Sequence, residues 1–250
     1  TAYKRPYRLI FQNITNHINS KIQHLRYTNP KTYDCINYSE KYLYYPLHSQ
    51  PEYGMNVMGT MWQNQINTIE LLSKSVPASW HVYVKEHPGV ITDRIRPYNL
   101  LSKIKSFPNV KLVNIFEDMH KLISNAQMVA VVSGTSGFEA VQRGIPSISF
   151  VDTIWNVMGL SRKCANVETL SRDIHDELKR INSISPDIKK KRMVCYLASI
   201  LMHSTYLTYP IQYSYGAVGT DEEYEVCGRE MADALVKYLD YLQKEKGYSF

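Results

Sequence analysis

The feature that most constrains this chain is a regular alternation between residues 42 and 151, where short β-branched or aromatic runs are separated by stretches of helical periodicity. Residues 42–47, 81–85, 110–114, 128–132 and 147–151 read as strands, and residues 57–74, 98–106, 118–125 and 136–143 as the helices between them. Crossovers of this length join parallel strands, so the pattern predicts an α/β fold, a doubly wound parallel sheet with helices on both faces. The flanks differ. Residues 4–26 carry Leu9, Ile10, Ile14, Ile18 and Ile22 at helical spacing and predict an amphipathic helix closed by Asn29-Pro30. Beyond residue 152 only helices are expected, over 167–181, 186–206 and 222–246, the last entered through Thr220-Asp221-Glu222-Glu223, a capping-box sequence. Three segments follow: an N-terminal helix and linker (1–40), an α/β core (41–155) and a helical C-terminal extension packing on the core (156–250).

Composition bounds the function. With 250 residues, 44% hydrophobic and 21% charged, the chain can bury one sizeable core. It begins at Thr1 without a charged-then-apolar leader, so it is expected to be an internal piece with more sequence upstream. The apolar run Met128-Val129-Ala130-Val131-Val132 is far shorter than the roughly 20 residues of a membrane-spanning helix. Cys35, Cys164, Cys195 and Cys227 lie far apart without a CxxC or Cys/His pair, which predicts free thiols in a reducing cytoplasm and no metal site. The net charge of +6 favours an anionic partner without choosing among nucleotide, glycan and membrane surface. Twenty tyrosines are scattered rather than set out as a base-stacking surface, so nucleic acid is not expected as a partner.

In an open parallel sheet, ligands bind beyond the C-terminal strand ends. Three segments fall there: Pro46-Leu47-His48-Ser49-Gln50-Pro51-Glu52, Lys85-Glu86-His87-Pro88-Gly89 and Ser133-Gly134-Thr135-Ser136-Gly137. The third is small and hydroxylic at a helix start, so its N–H groups, hydroxyls and helix dipole suit a phosphate. It lacks the Gly-Lys-Ser/Thr of a Walker loop and the GxGxxG of a dinucleotide site. A plainer reading has Ser136 capping the helix and Glu139 completing the box. His87, set by Pro88, is either a donor to a phosphate or ribose or a structural histidine, and Lys85-Glu86 either adds charge or is a surface ion pair. His48, Gln50 and Glu52 form either a polar turn or a rigid loop aimed at a ligand. Lys189, Lys190, Lys191 and Arg192 place four cations in the first turns of a helix, against its dipole, which suggests either a solvated face or contact with an anionic membrane.

Taken together, these three segments, extended through Val84 and through Phe138-Glu139-Ala140 with Gly144-Ile145-Pro146, resemble the capsule polysaccharide biosynthesis glycosyltransferases, including the bacterial Kdo transferases that use CMP-Kdo. The resemblance covers residues 42–150. It implies the C-terminal, Rossmann-like lobe of a two-lobed GT-B transferase, metal-independent and without a cofactor. The implied donor is a CMP-activated sugar, Kdo or a related acidic sugar; the acceptor is a polysaccharide or glycolipid, and the location is the cytoplasm or the inner membrane face. Carried over by position, Lys85, His87, Pro88, Ser133, Gly134, Thr135, Ser136 and Glu139 would bind the nucleotide. The catalytic residue would stand on the other lobe, with His48 and Glu52 as the candidates here. CDP-glycerol polymerases and UDP-GlcNAc 2-epimerases share the architecture and keep other donors open, as does a non-catalytic glycan-binding domain of an export complex.

Overall fold

The computed structural model describes residues 6–91, 96–97, 99–164, 166–204 and 220–246. Six parallel strands form one sheet: β1 (Tyr42–Pro46), β2 (His81–Lys85), β3 (Val110–Val113), β4 (Met128–Val131), β5 (Ser147–Ser149) and β6 (Arg162–Lys163). Their order is β3-β2-β1-β4-β5-β6, so the sheet winds outward in both directions from β1 and β4. This is the doubly wound order of the Rossmann fold, whose switch point lies between the two central strands. Those strands are near-continuous apolar runs because helices cover both faces. Leu43, Tyr45, Val82, Val84, Met128 and Ala130 are fully buried in the main core.

The helices are α1 (Pro6–Thr28), α2 (Gln65–Ser75), α3 (Leu100–Lys105), α4 (Met119–Asn125), α5 (Ser136–Gln142), α6 (Leu170–Ser183), α7 (Pro186–His203) and α8 (Asp221–Lys246). Local chemistry sets their ends. Asp118 caps α4 by accepting from the His120 and Lys121 N–H groups. At the end of α5, Gly144 has φ +72°, while its N–H bonds Val141 O and the Ile145 N–H bonds Ala140 O, the paired bonds of a Schellman cap. The residues divide into two compact units, Thr1–Val194 and Cys195–Phe250. Within the second, Tyr241 of α8 stacks on Tyr238 and lies 6.2 Å from the His203 ring.

Three expectations are corrected. The helix over 57–74 is instead a π-turn (Gly54–Met58), a 3₁₀ turn (Thr60–Trp62) and α2, because Asn64 accepts from the Asn67 N–H and starts the helix afresh. The stretch after 152 is not all helix, since a 3₁₀ turn (Ile154–Met158) leads to edge strand β6. The described part of the isoleucine stripe of α1 is not its buried face: Ile14, Ile18 and Ile22 are exposed, the Leu9 and Ile10 side chains lie outside the described residues, and the helix attaches through Gln23 and Tyr27. Tyr27 is buried in the main core and donates to Glu86, and Gln23 donates to Val90 O, so the face that carries these two residues fixes the rotation of α1. Lys4 and Tyr206, the outer ends of two expected helices, and the Glu223 side chain of the expected capping box lie outside the described residues.

The four cysteines are unpaired. No helix among the described residues is long and apolar enough to cross a membrane.

Candidate functional site

A cavity of about 710 Å³ opens at the C-terminal ends of β1, β2 and β4, where the sheet changes winding direction. Its wall includes Tyr44, His48, Glu52, Tyr53, Lys85, His87, Pro88, Met119 and residues 133–136. The parallel register that aligns Pro46 with Lys85 and Tyr44 with Val129 brings the three segments to one edge.

Lys85 ends β2 with 6% of its surface exposed, and no carboxylate lies within ion-pairing distance of it among the described residues. Burial lowers its pKa, while the more distant Glu117, Asp118 and Glu86 push it back up. Among the described residues it is the only lysine or arginine in the wall. Glu86 is no surface partner of Lys85. Fully buried, it accepts from Arg96 Nε (3.0 Å) and Nη2 (2.7 Å), from the His87 N–H (2.8 Å) and from the Tyr27 hydroxyl (3.3 Å). His87 Nδ1 accepts from the Gly89 N–H at 3.1 Å, so the neutral ring carries its proton on Nε2 and offers a donor. Burial lowers the His87 pKa and favours that neutral form.

His48 is locked from both sides. Its Nε2 accepts from the Val132 N–H (3.1 Å), which places the proton on Nδ1, and that proton is donated to Glu52 Oε1 (2.7 Å). Gln65 clasps the His48 backbone by accepting from its N–H (2.7 Å) and donating to its carbonyl (3.0 Å). With both ring nitrogens committed, His48 braces the β1 and β4 loops and is no free base. Glu52 keeps its second oxygen and is one-third exposed.

The two loops meet closely. A Cβ at Gly54 would stand 2.1 Å from Ser133 Oγ, and one at Gly134 would stand 3.1 Å from His48 Cε1. At the start of α5 no side chain supplies a cap: Thr135 makes no cap bond, and the Ser136 hydroxyl turns to Met119 Sδ (3.4 Å). The Ser136–Glu139 capping box is therefore absent, and the N–H groups of Gly134, Thr135 and Ser136 have no acceptor among the described residues. Ser133 and Thr135 also bring their hydroxyls to this wall.

The cavity thus gathers Lys85, His87, Pro88, Ser133, Gly134, Thr135, Ser136, His48 and Glu52. Glu139 lies outside its wall, because three residues along α5 turn it toward α4, where it is 3.2 Å from His120 Nδ1 and 4.0 Å from Arg143 Nη1. The basic cluster is partly structural: Lys189 donates to Gly144 O (3.1 Å) at the end of α5, and Arg192 donates to Gly159 O (3.1 Å). Cations there meet exposed carbonyls at helix ends, a favourable site. Sequence reasoning missed Arg96, whose role depends on a buried carboxylate ten residues earlier, and Tyr44. Burial, aided by the Glu139 charge, holds the Tyr44 hydroxyl protonated. No group of three His, Cys, Asp or Glu side chains arranged for a metal occurs among the described residues.

Residues 13–181 match the family model described as "Capsule polysaccharide biosynthesis protein". No curated protein matches the chain in sequence. Among solved structures it is similar to KpsC of Thermosulfurimonas dismutans, a beta Kdo 2,4 transferase (20% identity, 65% of this chain and 52% of that one, TM-score 0.40). It is also similar to Anabaena Alr3699/HepE in complex with UDP-glucose (14% identity, 72% and 54%, TM-score 0.45). A third is the UDP-GlcNAc 2-epimerase of Methanocaldococcus jannaschii (18% identity, 72% and 52%, TM-score 0.41). The chain spans about half the length of each of these structures.

Proposed function

Because the chain belongs to the capsule polysaccharide biosynthesis protein family, we propose that its cavity binds the donor of a glycosyl transfer, a nucleotide-activated sugar destined for a surface polysaccharide or glycolipid. The observation that carries this reading is Lys85: a nearly buried ammonium in the cavity wall without a carboxylate partner, facing the same space as the uncapped N–H groups of residues 134–136. Desolvating an ammonium is costly unless an anion offsets it, and a phosphate does so.

The donor in this reading is a CMP-linked sugar, Kdo or a related acidic sugar, whose single bridging phosphate sets its charge against Lys85. The residues divide the work. Lys85 and the 133–136 donors hold the phosphate and stabilise the charge that grows on it as the sugar leaves. His87 Nε2–H reaches a ribose or phosphate oxygen, with Pro88 fixing the turn. No metal or cofactor enters this reading. An acceptor-binding lobe completes the enzyme, and Glu52, one-third exposed in the wall with one carboxylate oxygen on His48, offers its other oxygen to an acceptor hydroxyl.

Calorimetry with CMP, CDP and UDP on the wild type and on His87→Ala tests the proposal. CMP binding that is tighter than UDP binding and weakened in the variant supports it. Preference for UDP or CDP would transfer the site to a diphosphate donor, and absence of binding to all three would leave a non-catalytic glycan- or partner-binding domain. In the same proposal the cluster Lys189 to Arg192 rests on an anionic membrane face. Lys190 and Lys191 remain exposed for that contact, and reversing their charge is expected to lower pelleting with anionic vesicles.

A further inference from the structure

Arg96 lies outside the donor-cavity wall, yet every arm of its guanidinium is committed around it. Nε and Nη2 fork onto Glu86, Nη2 also donates to His48 O (2.5 Å), and Nη1 donates to Gln50 Oε1 (3.4 Å). Its own N–H donates to Gln23 Oε1 on α1 (2.7 Å), and Gln23 Nε2 donates to Val90 O (2.7 Å) on the turn that follows Pro88. The Glu86 carboxylate in turn receives the His87 N–H and the Tyr27 hydroxyl of α1. One hydrogen-bonded chain therefore runs from α1 through Glu86 and Arg96 to His48, and from His48 Nε2 to the Val132 N–H beside Ser133. Arg96 joins the β2 loop, the β1 loop and α1, and His48 carries the connection to the β4 loop.

We propose that Arg96, paired with Glu86 and anchored by Gln23 and Tyr27 of α1, is the positioning residue that sets the geometry of the donor site. This rests on the donor-site reading above. A buried guanidinium–carboxylate pair between elements that would pack adequately without it adds little to stability, because desolvation consumes most of the attraction. A planar fork with five donors does fix loop geometry, which a lysine does not. The consequence is specific: replacing the fork by a single ammonium keeps the charge beside Glu86 and loses the contacts to His48 O and Gln50, so the loops loosen at constant charge.

The test is Arg96→Lys in the full chain, read in two ways: the imidazole ¹H–¹⁵N NMR titration of His87, and the Kd for CMP. In the wild type, burial is expected to hold the His87 titration below the ordinary imidazole range, with the Nε2–H tautomer set by the Gly89 N–H. In Arg96→Lys its titration is expected to move up toward 6.5 with averaged tautomers, and CMP binding to weaken at least tenfold. Gln23→Ala, which removes the acceptor of the Arg96 N–H and leaves the Tyr27–Glu86 bond of α1 in place, is expected to shift both readouts in the same direction by less, and it decides the matter if Arg96→Lys does not fold. A folded variant in which His87 titrates as in the wild type and CMP affinity is unchanged overturns the proposal. If the wild type binds no CMP, the donor-site reading falls, while the His87 titration still decides whether Arg96 positions the loop.

Discussion

Replacing Lys85 by Met should move stability and affinity in opposite directions. Methionine has similar length and volume and carries no charge, so it occupies the same slot with little repacking. In the protein without ligand, the wild type bears the cost of holding an ammonium 6% exposed with only distant carboxylates for company. A buried ammonium costs several kcal/mol before it is compensated, and the long-range attraction of Glu117, Asp118 and Glu86 offsets much of that, which leaves a net cost on the order of 1 kcal/mol. Removing it should raise Tm by roughly 2–4 °C for a domain of this size. With nucleotide bound the sign reverses, because a charge-assisted contact to phosphate contributes about 1.5–3 kcal/mol, or roughly 10- to 150-fold in Kd at about 1.4 kcal/mol per decade. Scanning calorimetry of both proteins, with and without CMP, reads the two effects side by side. A lower Tm for Lys85→Met together with unchanged CMP affinity would refute the reasoning and make Lys85 a structural side chain.

Other outcomes follow from the same geometry. His48→Ala strips the Val132 N–H of its acceptor and Glu52 of its donor, and should cost about 1–3 kcal/mol in urea unfolding with unchanged m-value; a neutral result would mean the brace is replaced by water. Gly144→Ala places a Cβ at φ +72° and should destabilise by about 1–2 kcal/mol by the same measurement, whereas no change would show that the turn relaxes freely. His87 has a folded-state pKa below its unfolded value of 6.5, so between the two the unfolded chain binds more protons and stability falls as pH drops through that interval. His87→Asn should flatten this part of the stability curve, and an unaltered pH profile would assign the slope elsewhere.

The parallel sheet was legible because its central strands are apolar runs buried on both faces and joined by helices of crossover length. Edge strand β6 was not, since Arg162–Lys163 is two residues long, polar and only partly buried, and carries no periodic signal. The three site loops could be located from the strand ends alone, but their internal chemistry could not. Lys85-Glu86 looks like an exposed pair in sequence, and only the fold shows Glu86 turned inward to Arg96 while Lys85 meets the cavity. His48 has the appearance of a candidate base until the Val132 N–H is seen to occupy its second nitrogen. Glu139 sits at capping-box spacing, yet the hydroxyl it would answer bonds Met119 instead. The α1 stripe misled for a related reason: a helix held by the face that carries Gln23 and Tyr27 need not bury Ile14, Ile18 and Ile22.

Backbone amide NMR of the protein titrated with CMP reads out the proposed phosphate seat, in which Lys85 and the uncapped N–H groups of residues 134–136 meet at the switch point. Saturable shifts are expected at Gly134, Thr135, Ser136 and His87, and they are expected to be lost in Lys85→Met. Saturable shifts that map to another part of the fold, or binding that Lys85→Met leaves intact, would contradict such a seat.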